Sequence, residues 1–321
     1  MFLGHKHGRP SGAMKKWAII STNIIAPLGL LNSYTTFAKI IHSITRHMKN
    51  ITTAFLLLAC ANFIFAQKTE AQKIFSFGVV EELYSNEIGE DRVLNIYLPD
   101  GYHPDSAATY PTIYVLDGSA NEDFPHIAGL VQFMNMYAIM PHSIVVGIGN
   151  VDRYRDFTSP SKIKEDMESI PNNGGAEKFI RFMEKEVQPL IEKKYKTNGH
   201  RTIIGQSLGG LMATEILMGQ PQLFDDYIIV SPSLWWNDMS LVNTAPEYFK
   251  SNKKMNKKIF ISLGKEHPVM HEVADKLVKS IKESGNENIE LYYHPILEEN
   301  HATILHLAVY EAFKKLNAPS Q

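Results

Sequence analysis

From residue 78 onward, short runs of β-branched and aromatic residues alternate with longer stretches whose apolar residues recur every three or four positions. The first pattern fits strands bounded by turn formers, and the second places apolar side chains on one face of a helix. Strands are predicted at Gly78 to Tyr84, Val93 to Leu98, Thr112 to Leu116, Ser143 to Gly147, Thr202 to Ile204, Tyr227 to Val230, Ile259 to Leu263 and Ile289 to His294. The polar segment Ser85 to Asp91 separates the first two and predicts an antiparallel hairpin. Helical spacing is carried by Phe179, Ile180, Met183, Val187, Leu190 and Ile191, where Pro189 should kink or split the helix. It returns at Val273, Leu277, Val278 and Ile281, and a last helix is predicted from Ala302 to Lys315. The alternation predicts the α/β class: a mostly parallel central sheet with an antiparallel N-terminal hairpin and helices on both faces. No repeat, low-complexity linker or charge block interrupts residues 67–321, so a single domain is expected there.

Before residue 67 the pattern changes. Met48-Lys49-Asn50 precedes the apolar stretch Ile51 to Phe65, followed by Ala66 and Gln67. A positive start, an apolar stretch shorter than the roughly 20 residues that span a bilayer, and a small exit residue are the parts of a secretory signal peptide. The signal peptide is assigned to residues 48–66, with cleavage after Ala66. Leu57-Leu58-Ala59-Cys60 reads alternatively as a bacterial lipobox with Cys60 lipidated, although the apolar run continues to Phe65 and fits ordinary cleavage better. Translation is therefore expected to begin at Met48. Residues 1–47 are then an extension of the natural start or, through Trp17 to Leu31, a weak anchor interrupted by Pro27.

Charge supports this division. The 321 residues carry 32 Lys and Arg against 34 Asp and Glu, a formal charge of -2. Residues 1–66 hold seven of the basic residues and no acid, which leaves 25 basic against 34 acidic side chains in residues 67–321. An acidic body is not expected to bind nucleic acid or an anionic membrane, because both require a cationic surface. Cys60 is the only cysteine, so the processed chain has no free thiol and cysteine-nucleophile or thiol-redox chemistry is excluded. The expectation is an exported protein, periplasmic or secreted, with no membrane span in the mature chain.

The chemistry is concentrated in Arg201-Thr202-Ile203-Ile204-Gly205-Gln206-Ser207-Leu208-Gly209-Gly210-Leu211, a Gly-x-Ser-x-Gly pattern between an apolar strand and a helical run. A sharp strand-to-helix turn crowds the backbone around the serine, so the flanking positions 205 and 209 should lack a Cβ. Ser207 is thus the candidate nucleophile, and the Leu208 amide at the helix N-terminus is available to an oxyanion. A second donor is expected from the loop Asp117-Gly118-Ser119, where Gly118 lets the chain turn and present the Ser119 amide. In the chain order serine, acid, histidine, the base follows the last strand, which selects His301; His294 falls in the strand and His306 on the helix. The acid should follow Ile259 to Leu263, where Glu266 stands; Glu272 and Asp275 on the next helix, or a serine–histidine dyad without an acid, stay open.

With these residues placed, the chain resembles the Putative esterase branch of the α/β-hydrolases, the group of the enterochelin esterases and esterase D-like enzymes. The resemblance is carried in order by Asp91-Arg92, Asn95 to Tyr102, Tyr114 to Gly118, Asp152 to Thr158, Gly205 to Ala213, Ser231-Pro232-Ser233-Leu234-Trp235-Trp236 and Asn300-His301. It implies an α/β-hydrolase fold, with Ser207 as nucleophile, His301 as base, and the Ser119 and Leu208 amides as oxyanion hole. It also suggests Asp117, Arg153, Trp235 and Trp236 as substrate-binding residues. The implied function is a serine esterase acting on a small-molecule siderophore, feruloyl or acyl-sugar ester, with no metal or organic cofactor required. Arg153 could then meet an anionic catecholate or carboxylate. The same acyl-enzyme could instead pass its acyl group to a sugar or envelope hydroxyl, and a binding protein that holds such an ester without turnover is a further alternative.

Overall fold

The computed structural model describes residues 28–65 and 75–318, in two units that divide between Ile74 and Phe75. In the first, helix α1 (Leu28–Phe65) takes in the whole of Ile51 to Phe65. The expected cleavage point after Ala66, and the expected anchor from Trp17 as far as residue 27, lie outside the described residues. Among the described residues no helix is long and apolar enough to cross a membrane.

The second unit is built on one eight-stranded sheet. Its strands are β1 (Val79–Ser85), β2 (Glu90–Tyr97), β3 (Tyr110–Val115), β4 (Ile144–Ile148), β5 (Thr197–Gln206), β6 (Asp226–Val230), β7 (Lys257–Ser262) and β8 (Ile289–Tyr293). Their order across the sheet is β1-β2-β4-β3-β5-β6-β7-β8. The β1–β2 hairpin is antiparallel, as is the β2–β4 pair, and every pairing from β4 to β8 is parallel. Parallel strands need covered faces, and β4 and β6 are accordingly buried at every residue. The edge strand β1 shows water most of its side chains.

Two apolar layers cover the sheet. One contains α2 (Phe124–Met136) and α10 (Ile304–Leu316), whose Ile127, Val131, Ile304 and Val309 are fully buried. On the opposite face lie α5 (Ala176–Phe182), α6 (Gln188–Lys194), α7 (Leu208–Gly219), α8 (Trp236–Ser251) and α9 (Pro268–Glu283). Between α5 and α6 the backbone widens into a π turn, Met183–Val187, just before Pro189. Proline has no N–H and its ring crowds the carbonyl four residues back, so the helix is split where the sequence predicts it.

The strand order sets the site. The chain leaves β3 for β4 on one side, then crosses back to β5 on the other, so the loops after β3 and β5 diverge from adjacent strands. A crevice opens at such a reversal, beyond the carboxyl ends of the strands.

Candidate active site

Ser207 sits in that crevice, between β5 and α7, with φ +58° and ψ −118°. A non-glycine residue is held there only when its surroundings overdetermine it. Here the Ser207 amide donates to Val230 O at 3.0 Å, and its carbonyl accepts from Leu211 N at 2.9 Å and Ser233 N at 3.0 Å. Gly205 makes the turn sterically feasible, because a Cβ there would lie 2.2 Å from Gly209 O. The second strict position is not Gly209, where a Cβ would meet only Asp117 Oδ2 at 3.3 Å and the Leu116 side chain. It is Gly210, where a Cβ would lie 3.0 Å from Val230 O and from Pro232 Cα.

His301 and Glu266 arrive on two loops joined along their backbones. After β7 and β8 the chains stay in register: Ile296 N donates to Leu263 O at 2.8 Å, Lys265 N to Glu299 O at 2.6 Å, and Lys265 and Asn300 form a parallel bridge. This brings Glu266 Oε2 to 2.9 Å from His301 Nδ1. The acid's side chain is 2% exposed and the histidine's 47%, so the carboxylate is sheltered while the imidazole faces the cleft. Burial alone would raise the Glu266 pKa, but hydrogen bonds from His301, Ser231 Oγ and the Gly264 amide favour its charged form and hold it below the ordinary value. Of the other acids considered, Glu272 pairs with Lys276 at 2.8 Å and Asp275 accepts from the Tyr293 hydroxyl at 2.8 Å, both away from His301.

A cavity of about 370 Å³ is lined by Asp117, Glu122, Asp123, Arg153, Gln206, Ser207, His301 and Ala302. Nucleophile and base therefore share one opening, and the Gln206 side-chain amide donates to His301 O, tying the histidine loop to the elbow. The Ser207 hydroxyl has Ser233 Oγ as its neighbour, at 3.3 Å. A larger depression of about 740 Å³ around Glu215 and Tyr248 shares none of these residues.

The Leu208 amide opens α7 and has no carbonyl one turn back to bind, so it is free to receive an anion. The Ser119 amide is less open, since it faces Glu122 Oε2 at 3.4 Å. The turn before it is made by Asp117 at φ +55° rather than by Gly118. Gly118 is needed for another reason: a Cβ there would lie 2.4 Å from Gly147 Cα and Ile148 N, so its missing side chain lets β3 and β4 close.

Arg153 opens the short helix α3 (Arg153–Asp156), capped by Asp152 through Arg155 N at 3.1 Å. That loop is fixed from below by a buried ion pair, Arg92 Nη1 to Asp156 Oδ2 at 2.6 Å, with each partner 1% exposed. Arg153 itself forms a bidentate pair with Asp117, Nε to Oδ1 at 2.6 Å and Nη2 to Oδ2 at 3.0 Å. The two tryptophans separate. Trp235 is 36% exposed, whereas Trp236 is 2% exposed, with Nε1 donating to Ser159 O at 2.9 Å. The expectation that Trp236 meets substrate is corrected: it is a core side chain, because the turn into α8 points it inward.

Glu122, Asp123 and Asn150 belong to the site and are absent from the residues selected by sequence, and Ser231, Ser233 and Gln206, which fall in segments that carry the resemblance, had no role assigned to them. Ser231 and Ser233 directly follow β6, and their position at the carboxyl end of a central strand is the signal that could have found them.

The sequence profile of the Putative esterase family matches residues 85–295. Ferri-bacillibactin esterase BesA of Bacillus subtilis strain 168 is 32% identical over 248 residues, covering 70% of this chain and 85% of the relative. An IroE-like serine hydrolase from Shewanella oneidensis superposes with a TM-score of 0.68 at 27% identity, over 74% of this chain and 79% of that one. The BES protein of Bacillus cereus gives 0.67 at 28% identity, over 76% and 96% of the two chains.

Proposed function

The chain belongs to the Putative esterase family of α/β-hydrolases and is an ester hydrolase, and from that premise we propose that it is an exported serine esterase working through an acyl-enzyme on Ser207. Among siderophore, feruloyl and acyl-sugar esters, similarity to an enzyme that cleaves ferri-bacillibactin favours the siderophore class. The observation that carries the mechanism is the strained Ser207, φ +58°, in a cavity shared with a His301 whose Nδ1 is held 2.9 Å from Glu266.

Glu266 accepts from Nδ1–H and so leaves Nε2 as the basic nitrogen. The Ser207 hydroxyl turns away from Ser233, gives its proton to His301 Nε2 and attacks the ester carbonyl. The Leu208 amide binds the oxygen as it becomes an anion, a contribution of about 3 kcal/mol for one such donor. Collapse expels the alcohol, which takes the proton back from His301. Water then enters, gives a proton to His301 and attacks the acyl carbonyl; the acyl–Oγ bond breaks, the acid leaves and Ser207 Oγ takes the proton back from His301.

Ser207→Ala should retain the fold and lose at least about a thousandfold in kcat/KM on a 4-nitrophenyl ester, together with fluorophosphonate labelling. Undiminished turnover would remove Ser207 from the mechanism. Export is tested separately by N-terminal sequencing of the protein recovered outside the cytoplasm, expected to begin at Gln67. A mature end upstream of Met48 would sink that part of the proposal.

A further inference from the structure

The depression of about 740 Å³ on the helical face of the sheet is a second cavity, walled by α5, the π turn, α7 and α8 together with Ser159 and Pro160. Its volume falls within the roughly 300–1,000 Å³ of small-molecule sites. The apolar part of the lining comes from Pro160, Ala176, Ile180, Met218, Leu241 and Tyr248. The Tyr248 hydroxyl is taken up by Leu217 O at 3.0 Å, so the ring is the part of that side chain left for a ligand.

Glu215 stands among these apolar residues. It follows Ser207 by eight residues, about 12 Å along the axis of α7, and has no part in the chemistry of the ester carbonyl. Its carboxyl is pushed up to about 7 by burial, although hydrogen bonding from Ser159 favours the charged form. Ser159 is itself fixed, because its carbonyl accepts from Trp236 Nε1 at 2.9 Å. The other charged or titratable groups of the lining are Glu177 and Arg181 from α5, Glu184 and Lys185 from the π turn, and Tyr248 from α8; none is a histidine. The two cations are engaged elsewhere: Arg181 pairs with Glu87 at 2.8 Å and Glu177 at 2.5 Å, and Lys185 pairs with Glu87 at 3.3 Å. The Glu215 carboxylate is thus left in an apolar wall without a counter-charge, which is the costly state of such a group.

We propose that this cavity is a binding site for a small organic amine, with the protonated ammonium against Glu215 and an apolar or aromatic body against Met218, Leu241 and Tyr248. The ammonium supplies the absent counter-charge through charge-assisted hydrogen bonds, and the body displaces water from the apolar lining. The Tyr248 ring suits a cation or an aromatic group equally. Such a ligand binds the ionised carboxylate, so it displaces the Glu215 proton and its affinity rises as the pH passes through about 7.

The test compares 4-phenylbutylamine, 4-phenylbutan-1-ol and 4-phenylbutyrate, which share one apolar body, by isothermal titration calorimetry on the full chain. At about pH 8 the amine should bind about tenfold or more tightly than the alcohol, and the acid more weakly than either. Lowering the pH to about 5.5 should weaken the amine about tenfold or more and leave the alcohol nearly unchanged. Glu215→Gln should abolish both the preference for the amine and its pH dependence, with turnover of 4-nitrophenyl butyrate unchanged. Leu241→Trp narrows the cavity without altering Glu215 and should weaken amine and alcohol alike, which keeps the site testable if the Glu215 variant does not fold. Absence of saturable amine binding, equal binding of amine and alcohol at about pH 8, or an amine preference that survives Glu215→Gln would each overturn the proposal and leave the esterase reading untouched.

Discussion

Ser231 holds Glu266 from behind: its hydroxyl, 0% exposed, donates to Oε1 while the other carboxylate oxygen faces His301 Nδ1. The Gly264 amide also donates to Oε1, at 3.2 Å, so without Ser231 the carboxylate keeps only this longer bond on that oxygen and presents a less constant acceptor to the imidazole. Ser231→Ala should lower kcat about fivefold with KM unchanged, the equivalent of about 1 kcal/mol for one hydrogen bond. Glu266→Gln should cost about a thousandfold or more, since it also disturbs the tautomer of His301. Equal KM and kcat effects in Ser231→Ala would mean that the hydroxyl only supports packing.

Trp235 and Trp236 should give opposite phenotypes. Trp236→Ala removes a buried side chain and its hydrogen bond to Ser159 O, and should destabilise by about 3–5 kcal/mol in thermal or denaturant unfolding. Trp235→Ala should leave the Tm nearly unchanged and raise KM for an aromatic acyl ester about three- to tenfold. A Tm loss in Trp235→Ala as large as that in Trp236→Ala would contradict this division.

Asp123 makes stability fall as pH rises. Its ordinary pKa is 3.8 and its folded value is about 7, so between these the folded chain holds a proton that the unfolded chain has released. Stability therefore declines from about pH 4 to about pH 7 and stays lowered above. Asp123→Asn, which loses no side-chain cap to α2, should match wild type near pH 4 and melt about 2–4 °C higher near pH 8. A pH-independent difference would place the effect in packing instead.

The Arg92–Asp156 pair anchors the loop that carries Arg153. Arg92 also pairs with Glu90 at 2.8 Å and Asp156 with Arg155 at 2.7 Å, so removing one partner unbalances a buried network rather than stranding a lone charge. Arg92→Ala or Asp156→Ala should therefore cost about 2–4 kcal/mol in urea unfolding. Replacing both partners with apolar residues should recover part of that loss. Additive losses in the double variant would show that the pair itself is not the unit.

The eight strands were legible because covered sheets demand β-branched and apolar residues: Ile289 to His294 is expected and Ile289–Tyr293 found. The largest boundary miss is β5, which begins at Thr197 rather than Thr202. Thr197 to Arg201 are polar and mostly exposed, so no apolar pattern announces them; pairing with β3 alone makes them a strand. The resemblance to an ester hydrolase was legible for a related reason. A strand, a glycine-flanked serine and a helix in sequence constrain the local backbone directly.

What the sequence determined by itself was what local sterics and periodicity dictate: the element order, the α/β class, the Ser207 turn and the loop that bears His301. Only the tertiary structure decided which acid meets that histidine, which tryptophan is buried, and that Arg153 is already paired with Asp117. Each of these depends on contacts between residues 36 or 35 positions apart, or on which way a turn rotates a side chain. No local pattern encodes such pairings, because hydrogen bonds and burial between distant segments exist only once the sheet has set its strands side by side.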